Sequence, residues 1–146
     1  MMAQDMRVPA LEWFWQFARI IFVDREGRDL TGTREAIRHV KRGGILGIFP
    51  EGGLERPART ILPFEAGVGM IIRRTGAKVL PVVISGTPYA EQAWESLLRR
   101  SRAVVTIQPP IDYSGTDLTP EQIARDLRAK YAAWTGWPLN DLVPWA

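Results

Sequence analysis

Residues 45–53 have the sequence ILGIFPEGG, the most informative stretch of the chain. The apolar run at 45–49 is too short for a helix and is bounded by turn residues, so it predicts a buried strand that ends at Pro50. Glu51 then places a carboxylate just past that strand, between a stiff proline and glycines that let a substrate approach the backbone. Because ligands of α/β proteins bind where strands end and loops begin, this stretch is predicted to belong to a binding site.

A second strand end that carries charged residues lies upstream. Residues 20–24 predict a short strand, and a charged pair, Asp24 and Arg25, follows directly on its apolar run. Each signal also has a purely structural interpretation. Asp24 and Arg25 could form a surface ion pair worth well under about 1 kcal/mol, and Glu51 could cap a helix or lie solvated in a loop.

Helices and strands are predicted to alternate around these two strand ends. The last helix has the clearest start, because Thr119 suits the N-cap, Pro120 the first helical position and Gln122 a capping box. This alternation predicts an α/β fold with a mixed or largely parallel sheet covered by helices. Helices are predicted over residues 10–22, 33–42, 64–75 and 89–100 and from 120 onward, and further strands over 79–84 and 103–107.

Composition limits the size of the protein and the chemistry it can perform. The 146 residues, 46% of them hydrophobic, predict one domain over 1–146, with an aromatic helix within 1–22 and a C-terminal tail at 134–146. The absence of cysteine excludes disulfides and thiolate nucleophiles, and with a single histidine no metal site is predicted. The net charge of +3 does not indicate nucleic-acid binding, although 16 of the 19 basic residues are arginine, which suits phosphate or carboxylate.

The sequence predicts a cytoplasmic location. No apolar window is long enough for a membrane span, and the first residues lack the features of a secretory signal. The aromatic side chains of the helix at 10–22 favour packing in a core, but interfacial helices also use tryptophan and phenylalanine, so contact with a membrane surface stays open. These side chains are Trp13, Phe14, Trp15 and Phe17.

Taken together, the motifs resemble the glycerolipid acyltransferase superfamily, which includes 1-acylglycerol-3-phosphate acyltransferase. The family pattern is an apolar strand ending in Asp-Arg, a helix, a Gly-Gly turn, Phe-Pro-Glu-Gly, a glycine-containing helix and an apolar strand with an internal proline. The order and approximate spacing agree from residue 1 to about 111. The matching positions are Val23-Asp24-Arg25, Gly43-Gly44, Phe49-Pro50-Glu51-Gly52, residues 64–76 and the strand around Pro81.

The resemblance implies acyl transfer from acyl-CoA or acyl carrier protein to a hydroxyl of glycerol phosphate or a lysophospholipid, with no further cofactor. It implies that Arg25 binds the acceptor phosphate and Glu51 the glycerol hydroxyls, while Gly52 and Gly53 give access to the backbone. The implied partners are a lipid substrate, a membrane surface and acyl carrier protein, without nucleic acid, and the implied location is cytoplasmic and peripheral to the membrane. The residues that support the motifs are Asp24, Phe49, Pro50 and Pro81.

The sequence departs from the family pattern at two places. The family uses a histidine as general base, with an aspartate after four intervening residues, but His39 is followed five positions later by Gly44. His39 is therefore interpreted as a solvated residue near a helix C-terminus, where positive charge is favoured. The usual Thr-Arg-Ser after Phe-Pro-Glu-Gly is also missing, so Arg56 or Arg59 would have to supply the second phosphate contact.

These departures lead to an expectation about activity. No catalytic residue is assigned in the chain, which is expected to be an N-terminally incomplete and inactive acyltransferase domain. The alternative is a non-catalytic module that binds a phospholipid or partners an intact acyltransferase. A hydrolase that uses Glu51 as its base is disfavoured, because neither a nucleophile elbow nor a metal cluster accompanies that carboxylate.

We expect the DNA upstream of the Met1 codon to encode, in the same frame, a histidine and an aspartate separated by four residues. The reason is that the family's base-bearing segment precedes the Asp-Arg strand, and residues 1–25 resemble the stretch that connects the two. Sequencing and translating that DNA tests the expectation. A stop codon without such a motif would indicate a natively short protein and favour the binding module.

Overall fold

The computed structural model describes residues 2–3, 22–23, 31–53, 57–88 and 100–141. The predicted helices at 33–42 and 64–75 and the one from 120 onward are confirmed with small shifts at their ends, as is the strand at 103–107. The strand predicted at 20–24 is confirmed at its described residues, Phe22 and Val23. The predicted helices at 10–22 and 89–100 fall almost entirely outside the described residues. In chain order the elements are β1 (Met2–Ala3), β2 (Phe22–Val23), α1 (Thr31–Lys41), α2 (Ala66–Thr75), β3 (Val82–Ser85), β4 (Val104–Ile107) and α3 (Pro120–Thr135).

The strands form two pairs, one parallel and one antiparallel. β1 and β2 are parallel, with Met2 opposite Phe22, and β3 and β4 are antiparallel, with Val82 opposite Ile107 and Ser85 opposite Val104. Helix α1 lies against β2, and α2 lies against both α1 and α3. The predicted α/β class with strands of mixed orientation is thus confirmed.

The predicted buried strand over residues 45–49 is wrong. This segment has no regular secondary structure, and the side chains of Ile45 and Phe49 are 95% and 75% exposed. A strand becomes buried only when neighbouring strands satisfy its backbone groups and cover its side chains. Within the described residues, no strand is paired with this segment.

The prediction of a buried strand over residues 79–84 needs two corrections. The strand begins at Val82, because fully buried Pro81 has no N–H to donate to a ladder and so marks its start. Val79 makes only an isolated antiparallel bridge with Ile111. Burial also alternates, with Val82 and Ile84 exposed on one face, so only the other face of this strand is covered.

The main hydrophobic core lies between α2 and α3. Buried side chains from both helices meet the half-buried aromatic and aliphatic side chains of the surrounding loops. Helix α3 begins at the predicted capping box, in which the Thr119 Oγ1 accepts the Gln122 N–H at 3.3 Å and the Gln122 Oε1 accepts the Thr119 N–H at 2.7 Å. The core residues are Val68, Ile72, Tyr113, Ile123, Ala124 and Leu127.

A short hydrogen-bonded chain also ties α3 to the loop before it. The Tyr113 hydroxyl donates to Asp126 at 2.5 Å, and the Lys130 ammonium donates to the other oxygen of Asp126 at 2.9 Å. Burial and the bond to Asp126 raise the pKa of Tyr113 well above its ordinary value. Partial burial acts to raise the pKa of Asp126, but the bonds from Lys130 and Tyr113 outweigh it and hold that pKa below its usual range.

Gly69 allows α2 and the start of α3 to approach closely. A Cβ at this position would lie 1.9 Å from the carbonyl oxygen of Pro120, far inside van der Waals contact. Gly67, two residues earlier in the same helix, has nothing nearer to such a Cβ than the Thr33 Oγ1 at 4.0 Å. The two glycines therefore provide a matched pair.

We expect Gly69→Ala to lower the free energy of unfolding by about 1–3 kcal/mol, because α2 and α3 must move apart. Gly67→Ala should instead raise it by up to about 1 kcal/mol through better helix propensity. Urea denaturation followed by far-ultraviolet circular dichroism measures both changes. Equal stability of the two variants would contradict the close approach of Gly69 to Pro120.

Candidate functional site

The Phe-Pro-Glu-Gly motif forms a tight turn against the start of α2. The N–H of Gly52 donates to the carbonyl of Phe49 at 3.3 Å, and the N–H of Glu65 donates to the carbonyl of Pro50 at 2.8 Å. Gly52 has a φ of 65°, in the left-handed region that a residue with a side chain adopts only at a cost. The turn therefore depends on the glycine of the motif.

The carboxylate of Glu51 is fixed by a hydrogen bond across the loop that follows it. Its Oε1 accepts the N–H of Leu62 at 3.0 Å, and Leu62 is fully buried. This bond joins the two ends of the loop at 51–62, which makes Glu51 a structural residue as well as a predicted ligand-binding one. A carboxylate has about four acceptor positions, so one backbone N–H does not exhaust its capacity.

The far end of the same loop is held by Arg128 of α3. Its Nη2 donates to the carbonyls of Ile61 at 3.0 Å and Asn140 at 2.9 Å, and its Nη1 lies 2.7 Å from Asp141. The N–H of Ile61 also donates to the carbonyl of Pro138, and the carbonyl of Ile61 accepts the N–H of Asn140. Ile61 and Leu139 thereby form an isolated parallel bridge. Sequence reasoning missed Arg128, since nothing local distinguishes it from the other arginines.

Tyr131 connects Phe64, just after this loop, to β3. Its ring makes an edge-to-face contact with Phe64 at 5.5 Å between centroids, and its hydroxyl accepts the N–H of Val82 at 3.1 Å. Burial raises the pKa of Tyr131, the bond with Val82 acts in the opposite direction, and the negative charge of Glu51 adds to the rise. Sequence reasoning assigned no role to Tyr131.

The predicted site residues fall into three groups. Asp24, Arg25 and Arg56 lie outside the described residues, so the structure does not test whether they meet Glu51. Pro81 precedes β3 and is linked to the loop through Val82 and Tyr131. Four of the remaining predicted residues, Phe49, Pro50, Glu51 and Gly52, share the turn described above, and Gly53 follows it.

Arg59, the alternative to Arg56 for a phosphate contact, has an unusual backbone. Its φ is 62°, in the left-handed region, and its side chain is exposed. A residue other than glycine pays roughly 1–2 kcal/mol for this conformation, and such strain clusters at functional sites. Next to it, the buried Thr60 donates its hydroxyl to the carbonyl of Pro57 at 2.8 Å and tightens the turn.

His39 lies in the last turn of α1, where it was predicted. It is half-buried, and its Nε2 lies 3.1 Å from the carbonyl oxygen of Ile45. Its ring also fills the space beside Gly44, where a Cβ would lie 2.3 Å from the Nε2. His39 therefore shapes the turn after α1. Over the described ranges, no group of three or more metal-ligating side chains is suited to hold a metal ion.

Comparison with known proteins identifies the family. The family model described as Acyltransferase matches residues 1–85, more than half of the chain. The chain belongs to the Acyltransferase family. No curated protein matches it at a significant level.

The fold resembles that of a solved acyltransferase. The 1-acyl-sn-glycerophosphate (LPA) acyltransferase PlsC from Thermotoga maritima is similar with a TM-score of 0.71 and 24% sequence identity. The match covers 92% of this chain and 54% of that one, so this acyltransferase chain spans about half the length of PlsC. None of the helices in the described ranges has the length and apolar character needed to cross a membrane.

We expect Glu51→Ala to lower the free energy of unfolding by roughly 1–2 kcal/mol, because the buried N–H of Leu62 loses a charged acceptor. Glu51→Gln should cost less, since its amide oxygen can accept the same bond. Glu65→Ala is the matched control, because Glu65 is exposed and makes no side-chain cap bond. Chemical denaturation checks the order, and an equal effect of Glu51→Ala and Glu65→Ala would contradict it.

Proposed function

We propose that this chain is the acceptor-binding part of a glycerophosphate or lysophospholipid acyltransferase. In this proposal Arg25 binds the acceptor phosphate and Glu51 binds the glycerol hydroxyls, with Gly52 and Gly53 giving access to the backbone. The acyl donor is acyl-CoA or acyl carrier protein, and the protein acts in the cytoplasm at the membrane surface. Family membership over residues 1–85 and the PlsC-like fold support the reaction class.

The observation that carries the proposal is the fixed Glu51 carboxylate. The Leu62 N–H and the tight turn at 49–52 hold this group at one place beside the start of α2. A carboxylate held by the protein backbone accepts hydrogen bonds from a diol without first losing side-chain freedom. A guanidinium such as that of Arg25 is planar and always charged, which suits the phosphate of the same acceptor.

The chemical step needs a general base, and this chain does not contain the family's histidine followed by an aspartate after four residues. An acceptor oxygen attacks the thioester carbonyl, the carbon–sulfur bond breaks and the thiol leaves, while a base takes the hydroxyl proton. The chain has a single histidine. This residue, His39 of α1, has its Nε2 against the carbonyl of Ile45. Since general-base catalysis contributes about 10²- to 10⁴-fold, we propose that the 146-residue chain alone binds the acceptor and transfers acyl groups poorly.

The second candidate is a non-catalytic module that holds a phosphorylated lipid or partners an intact acyltransferase. The observation that favours it is the combination of an ordered Phe-Pro-Glu-Gly turn with a histidine used in a turn contact. Both candidates require the same acceptor binding. They differ in whether catalysis appears when the base is supplied.

Binding of soluble glycerol 3-phosphate and of a short-chain lysophosphatidate tests the shared part of the proposal. We expect Arg25→Ala to weaken both at least tenfold, because the phosphate loses its charged donor. Arg74→Ala is the matched control, since Arg74 is exposed at the end of α2. Isothermal titration calorimetry measures the affinities, and unchanged binding by Arg25→Ala would overturn the assignment.

An acyl-transfer assay with lysophosphatidate tests the catalytic part, with the Thermotoga maritima enzyme as the positive control. We expect the 146-residue chain to be at least a hundredfold slower with either acyl-CoA or acyl carrier protein as donor. A rate comparable to that of the control enzyme would disprove the proposed lack of a base. Separation of the products by thin-layer chromatography distinguishes transfer from hydrolysis of the donor.

A further inference from the structure

The exposed side of α1 carries a line of basic side chains. Arg34, Arg38 and Lys41 are spaced by four and three residues, which places them within about 60° of each other around the helix. Arg42 extends the line by one residue beyond the helix end, and all four side chains are exposed. We call these four residues the basic face; it is about 12 Å long along the helix axis.

The packing of α1 fixes the basic face toward solvent. The opposite side of the helix contains the buried Gly32 and Ala36 and the half-buried Val40. Helix α2 packs against α1. Rotation of the helix would bury cations in this interface, so the basic face stays outward.

The charges of the basic face are not neutralised within the described part of the chain. The ion pairs found there join Arg128 to Asp141 and Lys130 to Asp126. Among the described residues, no hydrogen bond or ion pair involves a side chain of the basic face, and Glu35 is the one acidic residue of α1. Like charges at this spacing repel one another, so an anionic partner would relieve that repulsion.

An apolar side chain stands at the end of the basic face. Ile45 is 95% exposed, and the contact of its carbonyl with the His39 Nε2 fixes its backbone beside the last turn of α1. Cations next to a protruding aliphatic side chain suit the surface of a bilayer, where the charges meet lipid headgroups and the side chain enters the acyl region. A nucleic-acid backbone would use the cations but leave Ile45 in water.

We propose that the basic face and Ile45 dock the protein on an anionic lipid bilayer. The choice of a bilayer rests on the proposed function, because an acceptor of the proposed class is itself a lipid. Ile45 and Glu51 are six residues apart, so their Cα atoms are separated by at most about 20 Å. A membrane-borne acceptor would thus be presented close to the Phe-Pro-Glu-Gly turn.

Sedimentation with vesicles tests this docking surface in the full 146-residue chain. One set of vesicles contains phosphatidylcholine alone, and the other contains phosphatidylcholine and phosphatidylglycerol in equal parts. Each basic residue near an anionic surface contributes roughly fivefold to partitioning. We therefore expect the triple variant Arg34→Gln, Arg38→Gln, Lys41→Gln to bind the anionic vesicles at least tenfold more weakly.

The matched control removes three exposed cations elsewhere, through Arg74→Gln, Arg102→Gln and Arg125→Gln. Both triple variants change the net charge by the same amount, so a nonspecific charge effect would weaken them equally and would overturn the proposal. Ile45→Ser should reduce the binding that persists at high salt, because that part comes from apolar insertion. Equal binding of the wild type to both kinds of vesicle would also overturn it.

The test separates this inference from the proposed function. The basic-face variant should keep its affinity for soluble glycerol 3-phosphate, and Arg25→Ala should keep its affinity for anionic vesicles. Loss of glycerol 3-phosphate binding in the basic-face variant would show that α1 belongs to the acceptor site instead. If duplex DNA bound as tightly as the vesicles and Ile45→Ser weakened neither, the basic face would be a nucleic-acid surface and the inference would be overturned.

Discussion

The close packing of α2 on α3 positions the side chains that support the candidate site. Gly69 brings the two helices together at Pro120, and this contact sets where Arg128 and Tyr131 project from α3. Arg128 then holds Ile61, and Tyr131 lies against Phe64 just before α2. The loop that follows Glu51 is therefore anchored by a helix about 70 residues later in the chain. Long-range packing, more than the motif's own sequence, fixes the geometry of the loop.

The Glu51 carboxylate combines a structural role with its proposed binding role, and the two roles support each other. Because Oε1 accepts the Leu62 N–H, the group is oriented before any ligand arrives. The negative charge of Glu51 also acts on Tyr131. Burial raises the pKa of Tyr131, and the charge of Glu51 raises it further. The Tyr131 hydroxyl itself lies against the backbone of Val82, whose N–H it accepts at 3.1 Å.

Sequence reasoning succeeded where the signal was local and failed where it was not. Thr119, Pro120 and Gln122 determine the start of α3. All three lie within one helical turn, so the capping box was predictable. The segment at 45–49 has the composition of a buried strand, but burial depends on which strands lie beside it, and Ile45 is exposed. The role of Arg128 depends on segments distant in sequence, which no local pattern contains. The candidate site was accordingly predictable in its motif and not in its supports.

The basic face shows the same limit for electrostatics. A net charge of +3 for the whole chain indicates little about partners, because it averages over charges that do not sense one another. At physiological ionic strength, exposed charges are screened over about 8 Å, so acids on distant elements do not cancel the cations of α1. Arg34, Arg38, Lys41 and Arg42 act locally as four charges along one edge, opposed by Glu35 alone within the helix. The field that a membrane would sense is therefore set by helical spacing and by packing against α2, and only the first of these can be obtained from the sequence.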